Sequence, residues 1–152
     1  MRDAMRARLG EVGYAGPRFQ GLIDGPAPAK VGEHAGTMIF AVARFLIHPG
    51  KEAAFRTLAT EEFDLVKANE PGTIGYEWFL SEDGRECLTL DVYRDAEALG
   101  AHVANAGPTM GRILETVTSE VQILGALPDA MRAKFRPGVG AVFAAPQLQG
   151  VM

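Results

Sequence analysis

The chain has one cysteine, Cys87, and that scarcity removes several classes of protein at once. An intramolecular disulfide needs two thiols, and a thiolate cluster for zinc or for iron and sulfur needs several. A reducing, cytoplasmic setting is therefore expected. Histidine is equally sparse: His34, His48 and His102 stand far apart, and no local spacing joins two of them to a carboxylate. The sequence carries no signal for a metal centre. Long apolar runs are missing too. The best stretch, residues 38–47, is interrupted by Arg44 and falls well short of the roughly 20 apolar residues that cross a bilayer. After Arg2, Arg6 and Arg8 the chain is broken by Gly10, Gly13, Gly16 and Pro17, so no secretory apolar core develops. There is no cluster of lysine and arginine, and the net charge is -4. Phosphate backbones and anionic membranes have no electrostatic footprint to meet, so neither is expected as a partner. No dinucleotide, Walker or serine-hydrolase glycine motif occurs in a suitable setting.

What is present is ordinary for a soluble domain. A chain of 152 residues with 47% hydrophobic and 22% charged residues is long enough to bury a core unaided. Residues 1–36 are rich in glycine and proline, as in Asp24-Gly25-Pro26-Ala27-Pro28, and show no sustained periodicity. They read as an arm, with a short helix possible over residues 4–9 and with Tyr14, Phe19, Leu22 and Ile23 available to lie on the body or on a partner subunit.

Residues 37–127 read as one domain. From 38 to 47 the chain alternates Ile39, Ala41, Ala43, Phe45 and Ile47 against Phe40, Val42, Arg44 and Leu46, which predicts a strand covered on both faces. Pro49-Gly50 ends it. Phe55, Leu58, Ala59, Leu65 and Val66 then recur at helical spacing up to Asn69, before Pro71-Gly72. A second strand over residues 73–81 aligns Ile74, Tyr76, Trp78 and Leu80. Ser81-Glu82-Asp83-Gly84 is a hairpin signal, leading to a third strand over 86–93 with Leu88, Leu90 and Val92 against Cys87, Thr89, Asp91 and Tyr93. Asp95 can cap a second helix whose inner face includes Leu99, His102, Val103 and Ala106. Gly107-Pro108 is expected to break it, with a further turn or two carrying Met110, Ile113, Leu114 and Val117. A last strand is expected over 120–126. Residues 128–152 read as a short helical piece to about Phe135 and a tail, in which 139–144 is apolar enough for an edge strand.

Two strand-helix-strand halves predict the α+β, ferredoxin-like βαββαβ arrangement, a four-stranded antiparallel sheet with both helices on one face. The other face is then left bare. It would expose Phe40 or Phe45, Trp78 or Phe79, and Ile123 or Leu124, a larger apolar patch than a monomer tolerates. An isologous homodimer is the expected remedy.

Four segments at these separations carry a resemblance: His48-Pro49-Gly50-Lys51, Glu70-Pro71-Gly72-Thr73, residues 76–84 around Trp78 and Asp83-Gly84, and Ala96-Glu97-Ala98-Leu99-Gly100-Ala101-His102. Over residues 38–126 the chain resembles the antibiotic biosynthesis monooxygenase domain family, which includes quinol monooxygenases. The resemblance implies a dimeric α/β barrel, often with no cofactor, that oxygenates electron-rich aromatics or quinols with dioxygen. The family also holds haem-degrading enzymes and isomerases. Members usually carry glutamate and tryptophan near the end of the third strand where this chain has Asp91 and Tyr93, which tells against a tryptophan-centred haem site.

His102 is either a hydrogen-bonded structural histidine or, on the resemblance, a general base; an unperturbed pKa of about 6.5 suits removal of a phenolic or enolic proton. Asp91 and Tyr93 share a strand face and either orient His102 or a substrate hydroxyl, or make interface hydrogen bonds. Tyr76 and Trp78 are pocket walls for a flat ligand or simply core. Arg44 either binds an anionic group or pairs with Asp91 or Glu77. Asn105 follows His102 by three residues and can bond a carbonyl or merely decorate the helix. Three activities fit: a cofactor-independent monooxygenase, a non-oxidative isomerase, cyclase or lyase in the same pocket, and a non-catalytic small-molecule-binding dimer.

Overall fold

The computed structural model describes residues 18–21, 37–133 and 141–143. Six strands and three helices follow in the order β1 (Arg18–Gly21), β2 (Ile39–Ile47), α1 (Glu52–Asn69), β3 (Thr73–Leu80), β4 (Glu86–Tyr93), α2 (Ala96–Leu114), β5 (Val117–Leu124), α3 (Asp129–Arg132) and β6 (Ala141–Phe143). The four central strands run β3-β4-β2-β5, all antiparallel, as the βαββαβ order requires. β1 extends the sheet beside β3, and β6 adds a parallel edge beside β5. The expected edge strand in the tail is thus present over three residues, and part of the arm is also a strand. The helix expected over residues 4–9 lies outside the described residues.

Strand alternation decides what faces the helices. Ile39, Ala41, Ala43, Phe45 and Ile47 are buried, while Phe40, Leu46, Leu90 and Leu124 are among the exposed large hydrophobics of the far face. The apolar alternatives left open by the sequence resolve accordingly, with Phe45, Trp78 and Ile123 inside. Two apolar clusters form on the helix side. One gathers Phe45, Phe55, Tyr76, Trp78 and Ile113, and the other Ile39, Tyr93, Leu99 and Ile123. Tyr76 and Trp78 thus belong to the first and Tyr93 to the second.

The turns follow their residue chemistry. Gly84 takes φ +70 in the hairpin, where the Ser81 hydroxyl and the Arg85 amide both donate to Asp83 Oδ1, at 2.8 and 3.1 Å. Asp95 caps α2 by accepting from the Ala98 amide at 2.8 Å. Between α1 and β3, the Thr73 amide donates to the Glu70 carbonyl at 3.1 Å and the Arg94 amide to that of Gly72 at 3.0 Å. A Cβ on Gly72 would stand 2.6 Å from Ala98 Cβ, so only glycine lets this turn pack on α2.

Three expectations are corrected. Gly107-Pro108 does not break α2, which continues through Pro108 to Leu114; Thr109 and Ile113 keep the same core face buried beyond it, and that packing outweighs one lost backbone bond. Val103 is 54% exposed, outside the inner stripe of Leu99, His102 and Ala106. β5 begins at Val117, not at 120, because the Thr116 amide and hydroxyl both bond the Ile113 carbonyl and close the helix. The run Thr116-Val117-Thr118 is β-branched throughout and favours the strand.

Candidate functional site

Glu70 is the hub of the site. It follows the last residue of α1, where the backbone leaves helical geometry, and its side chain turns under α2. Three groups donate to its carboxylate: the Thr73 hydroxyl to Oε2 at 2.7 Å, the Asn105 amide to Oε1 at 2.7 Å, and His102 Nδ1 to Oε2 at 2.9 Å. Burial alone would raise this carboxyl, but the bonds from His102, Asn105 and Thr73 outweigh it and hold Glu70 below the usual carboxylate range. An ionised carboxylate only accepts, so Nδ1 of His102 must carry the proton, and in the neutral ring Nε2 then offers its lone pair. Among the described residues no hydrogen-bond partner lies at Nε2. The imidazole is 8% exposed and sits between two phenol rings, with centroids 5.1 Å from Tyr93 and 5.6 Å from Tyr76.

A second polar group faces the helices from the sheet. Tyr76 stands opposite Asp91 in the β3–β4 register, and Trp78 opposite Thr89. Glu62 comes down from α1, its Oε1 3.5 Å from the Tyr76 hydroxyl. Burial pushes Glu62 up to about 7, with the charge of Glu70 adding to it. Burial also drives Asp91 well above the carboxylate range, against the pull of the Trp78 indole and the Thr89 hydroxyl. The indole leans toward Asp91 without reaching bonding geometry, since Trp78 Nε1 and Asp91 Oδ1 each lack a partner. Both tyrosine hydroxyls are raised, first by burial and then by the Asp91 charge. Burial lifts the Cys87 thiol to about 12, so it offers no thiolate nucleophile.

Six of the seven residues singled out by sequence therefore share one side of the sheet: His102, Asp91, Tyr93, Tyr76, Trp78 and Asn105. Arg44 does not join them. It alternates onto the far face, half exposed, where its guanidinium pairs with Glu86, so neither a role inside the pocket nor a pair with Asp91 or Glu77 is realised. The group that orients His102 is Glu70, not Asp91 or Tyr93. Glu70, Thr73 and Glu62 were missed. Glu70 and Thr73 were read only as part of a turn. Glu62 carried a legible signal, because with Phe55, Ala59 and Val66 it falls on the buried stripe of α1, where an acid needs a reason.

An open depression of about 290 Å³ lies between the Glu70–Thr73 turn and the start of α2, its lining including Glu70, Arg94, Asp95, Ala98 and Ala101. Its rim is polar, carrying Asn69, Thr73 and Glu97 as well. Glu70, whose carboxylate bonds His102, lines the depression, whereas His102 itself does not. Among the described residues, no group of three or more histidine, cysteine, aspartate or glutamate side chains could hold a metal ion. No helix among them is long and apolar enough to cross a membrane.

A four-stranded antiparallel core with both long helices on one face, and a carboxylate-anchored imidazole beneath the second helix, defines a ferredoxin-like α+β protein with a buried carboxylate–imidazole pair. Residues 38–108 match the family model described as Antibiotic biosynthesis monooxygenase. Solved structures that share its fold include the following three. SnoaB, a cofactor-independent oxygenase from Streptomyces nogalater, is 21% identical with a TM-score of 0.52, the match covering 60% of this chain and 95% of that one. MupZ from Pseudomonas fluorescens is 20% identical with a TM-score of 0.55, over 76% and 95%. Rv0793 from Mycobacterium tuberculosis is 26% identical with a TM-score of 0.53, over 62% and 99%. No curated protein matches the chain.

Proposed function

We propose that the protein is a cofactor-independent monooxygenase acting on an electron-rich aromatic or quinol, with His102 as the general base. The observation that carries this reading is the Glu70–His102 bond of 2.9 Å, which fixes the tautomer and leaves Nε2 as the proton acceptor. Removal of a phenolic proton makes the ring electron-rich enough to pass an electron to dioxygen. Recombination gives a peroxide, and its O–O bond then breaks. One oxygen stays on the ring and the other leaves as water, with the two further electrons coming from the quinol, which ends as a hydroxyquinone. No outside reductant is required. His102 can return its proton to the departing oxygen, so one imidazole serves both halves of the cycle.

Tyr76, Tyr93 and Trp78 supply apolar walls, while Asn105 and Asp91 supply polar groups at their edge. The chain is proposed to act as a homodimer through the far sheet face, where Phe40, Leu46, Leu90 and Leu124 stay exposed. Residues 1–36 and 128–152 are taken as an arm and a tail around the domain of residues 37–127, in a cytoplasmic protein. The test is oxygen uptake with a panel of quinols and polycyclic phenols, repeated on His102→Ala. Uptake that falls by on the order of 100-fold or more supports the base, and uptake at the wild-type rate removes it. Turnover that survives strict anaerobiosis would assign the same base to a non-oxidative isomerase, cyclase or lyase.

A further inference from the structure

Among the described residues, three buried side-chain atoms on the helix side of the sheet have no hydrogen-bond partner: Glu62 Oε2, Trp78 Nε1 and Asp91 Oδ1. They come from three different elements, α1, β3 and β4, and Asp91 is within electrostatic reach of the other two, the Trp78 indole as a donor and Glu62 as a like charge. Trp78 and Asp91 are diagonal neighbours on one face, because Tyr76 pairs with Asp91 and Trp78 with Thr89. Such a diagonal spans about 7–8 Å, within reach of long side chains. Glu62 arrives from the helix layer beside the Tyr76 hydroxyl. Unpartnered polar atoms are rare in native interiors, and three together call for one explanation.

Their chemistry supplies it. With one proton on the pair, the trio comprises two donors and one acceptor. A single water can accept the indole N–H and the O–H of the neutral carboxyl and donate to the carboxylate of the other, the three bonds a buried water typically makes. We propose that Glu62, Trp78 and Asp91 hold one buried water, and that the two carboxyls share a single proton through it at neutral pH. Two carboxylates placed this close cannot both ionise. The surroundings reinforce that limit. Glu62 faces Glu70 and Tyr76, with Glu61 beside it on α1, and the Asp91 charge is felt by Tyr76, Tyr93 and Cys87. Arg56 acts weakly on Cys87, and the one imidazole in the cluster, His102, is bonded to Glu70. Glu70 is thus held ionised on one side of Tyr76 while a protonated pair is held on the other, the separation that divides acid from base duties in a site. The catalytic sense of the pair rests on the oxygenase reading; the water and the proton do not.

Infrared difference spectroscopy on the full chain tests this without any substrate. A protonated carboxyl band is expected to persist above about pH 6, beyond the ordinary range of glutamate and aspartate, to shift in heavy water, to move in frequency in both Glu62→Gln and Asp91→Asn, and to disappear only when the two substitutions are combined. Trp78→Phe keeps an aromatic ring and removes only the donor. It is expected to shift the band and to abolish the ordered water in a crystal structure, and it serves if Asp91→Asn fails to fold. No band near neutral pH, a band lost in one carboxyl variant and unchanged in the other, or no water between the three side chains in wild-type crystals would each overturn the proposal. Should His102→Ala retain full oxygen uptake while the band persists, the oxygenase reading fails and the proton-sharing site stands.

Discussion

Glu70→Gln isolates the anchor of the candidate site. The carboxylate accepts three hydrogen bonds, from Thr73, Asn105 and His102. An amide can place only one oxygen, so if that oxygen faces Asn105 its NH2 meets the Nδ1 proton of His102. A hydrogen bond to a charged group contributes about 1.5–3 kcal/mol, and an opposed buried donor costs about 1–3 kcal/mol. Thr73 can rotate its hydroxyl to accept, which softens the loss. The net destabilisation expected is about 3 kcal/mol at pH 7, or roughly 6–12 °C in Tm for a chain of this size. The pH dependence gives the sharper check. Glu70 is depressed below its unfolded value of 4.5, so its contribution is complete above that value and is lost as the pH falls through the lower folded value. Thermal melts by circular dichroism should therefore show the largest gap between wild type and variant near neutral pH, closing as the pH is lowered below 4.5. Turnover should fall with the tautomer, by on the order of 100-fold or more. A gap below about 0.5 kcal/mol, or one that does not change with pH, would refute the claim that an ionised carboxylate anchors this site.

Other perturbations probe separate parts of the molecule. Glu62 is raised from 4.5 to about 7, so wild type loses stability as the pH climbs through that window; Glu62→Gln should match wild type near pH 4 and exceed it above pH 7. The full shift corresponds to about 3 kcal/mol, and screening brings the expected gain to about 1–2 kcal/mol, read by denaturant titration at the two pH values. Gly72→Ala drives a methyl into Ala98 and should cost about 1–3 kcal/mol, part of which Ala98→Gly recovers in a double-mutant cycle. Leu90→Asp on the far sheet face, where the leucine is 43% exposed, should leave the circular dichroism spectrum intact and convert a dimer to monomers in sedimentation. Wild-type protein that already sediments as a monomer at low micromolar concentration would remove the homodimer.

Most of the fold was legible because alternation and helical spacing point the same way as the turn residues. β2, β3, β4 and α1 lie within one or two residues of where the apolar periods place them. Local signals failed where tertiary packing overrode them. Pro108 reads as a stop, yet Thr109 and Ile113 are held in the core and carry the helix past it. Val117 fits a helical stripe through Met110 and Ile113, but the Thr116 hydroxyl ends the helix first. In the site, His102 and Asn105 were legible from their helix face. Their shared partner was not, because Glu70 lies more than 30 residues upstream in a turn and no local pattern reports a contact that the fold creates. Arg44 erred the other way. Strand parity fixes which face it takes, but parity cannot say which face the helices cover.

The two borrowed strands have a consequence for how copies of the chain can meet. A four-stranded core would offer bare N–H and C=O groups along both outer strands, an invitation to lateral growth. Here β1 occupies one of those margins for four residues and β6 the other for three. Short terminal strands make poor templates for further pairing. Self-recognition by strand addition is thereby discouraged, which leaves the broad flat surface to the homodimer proposed above, a closed pair rather than an open-ended fibre.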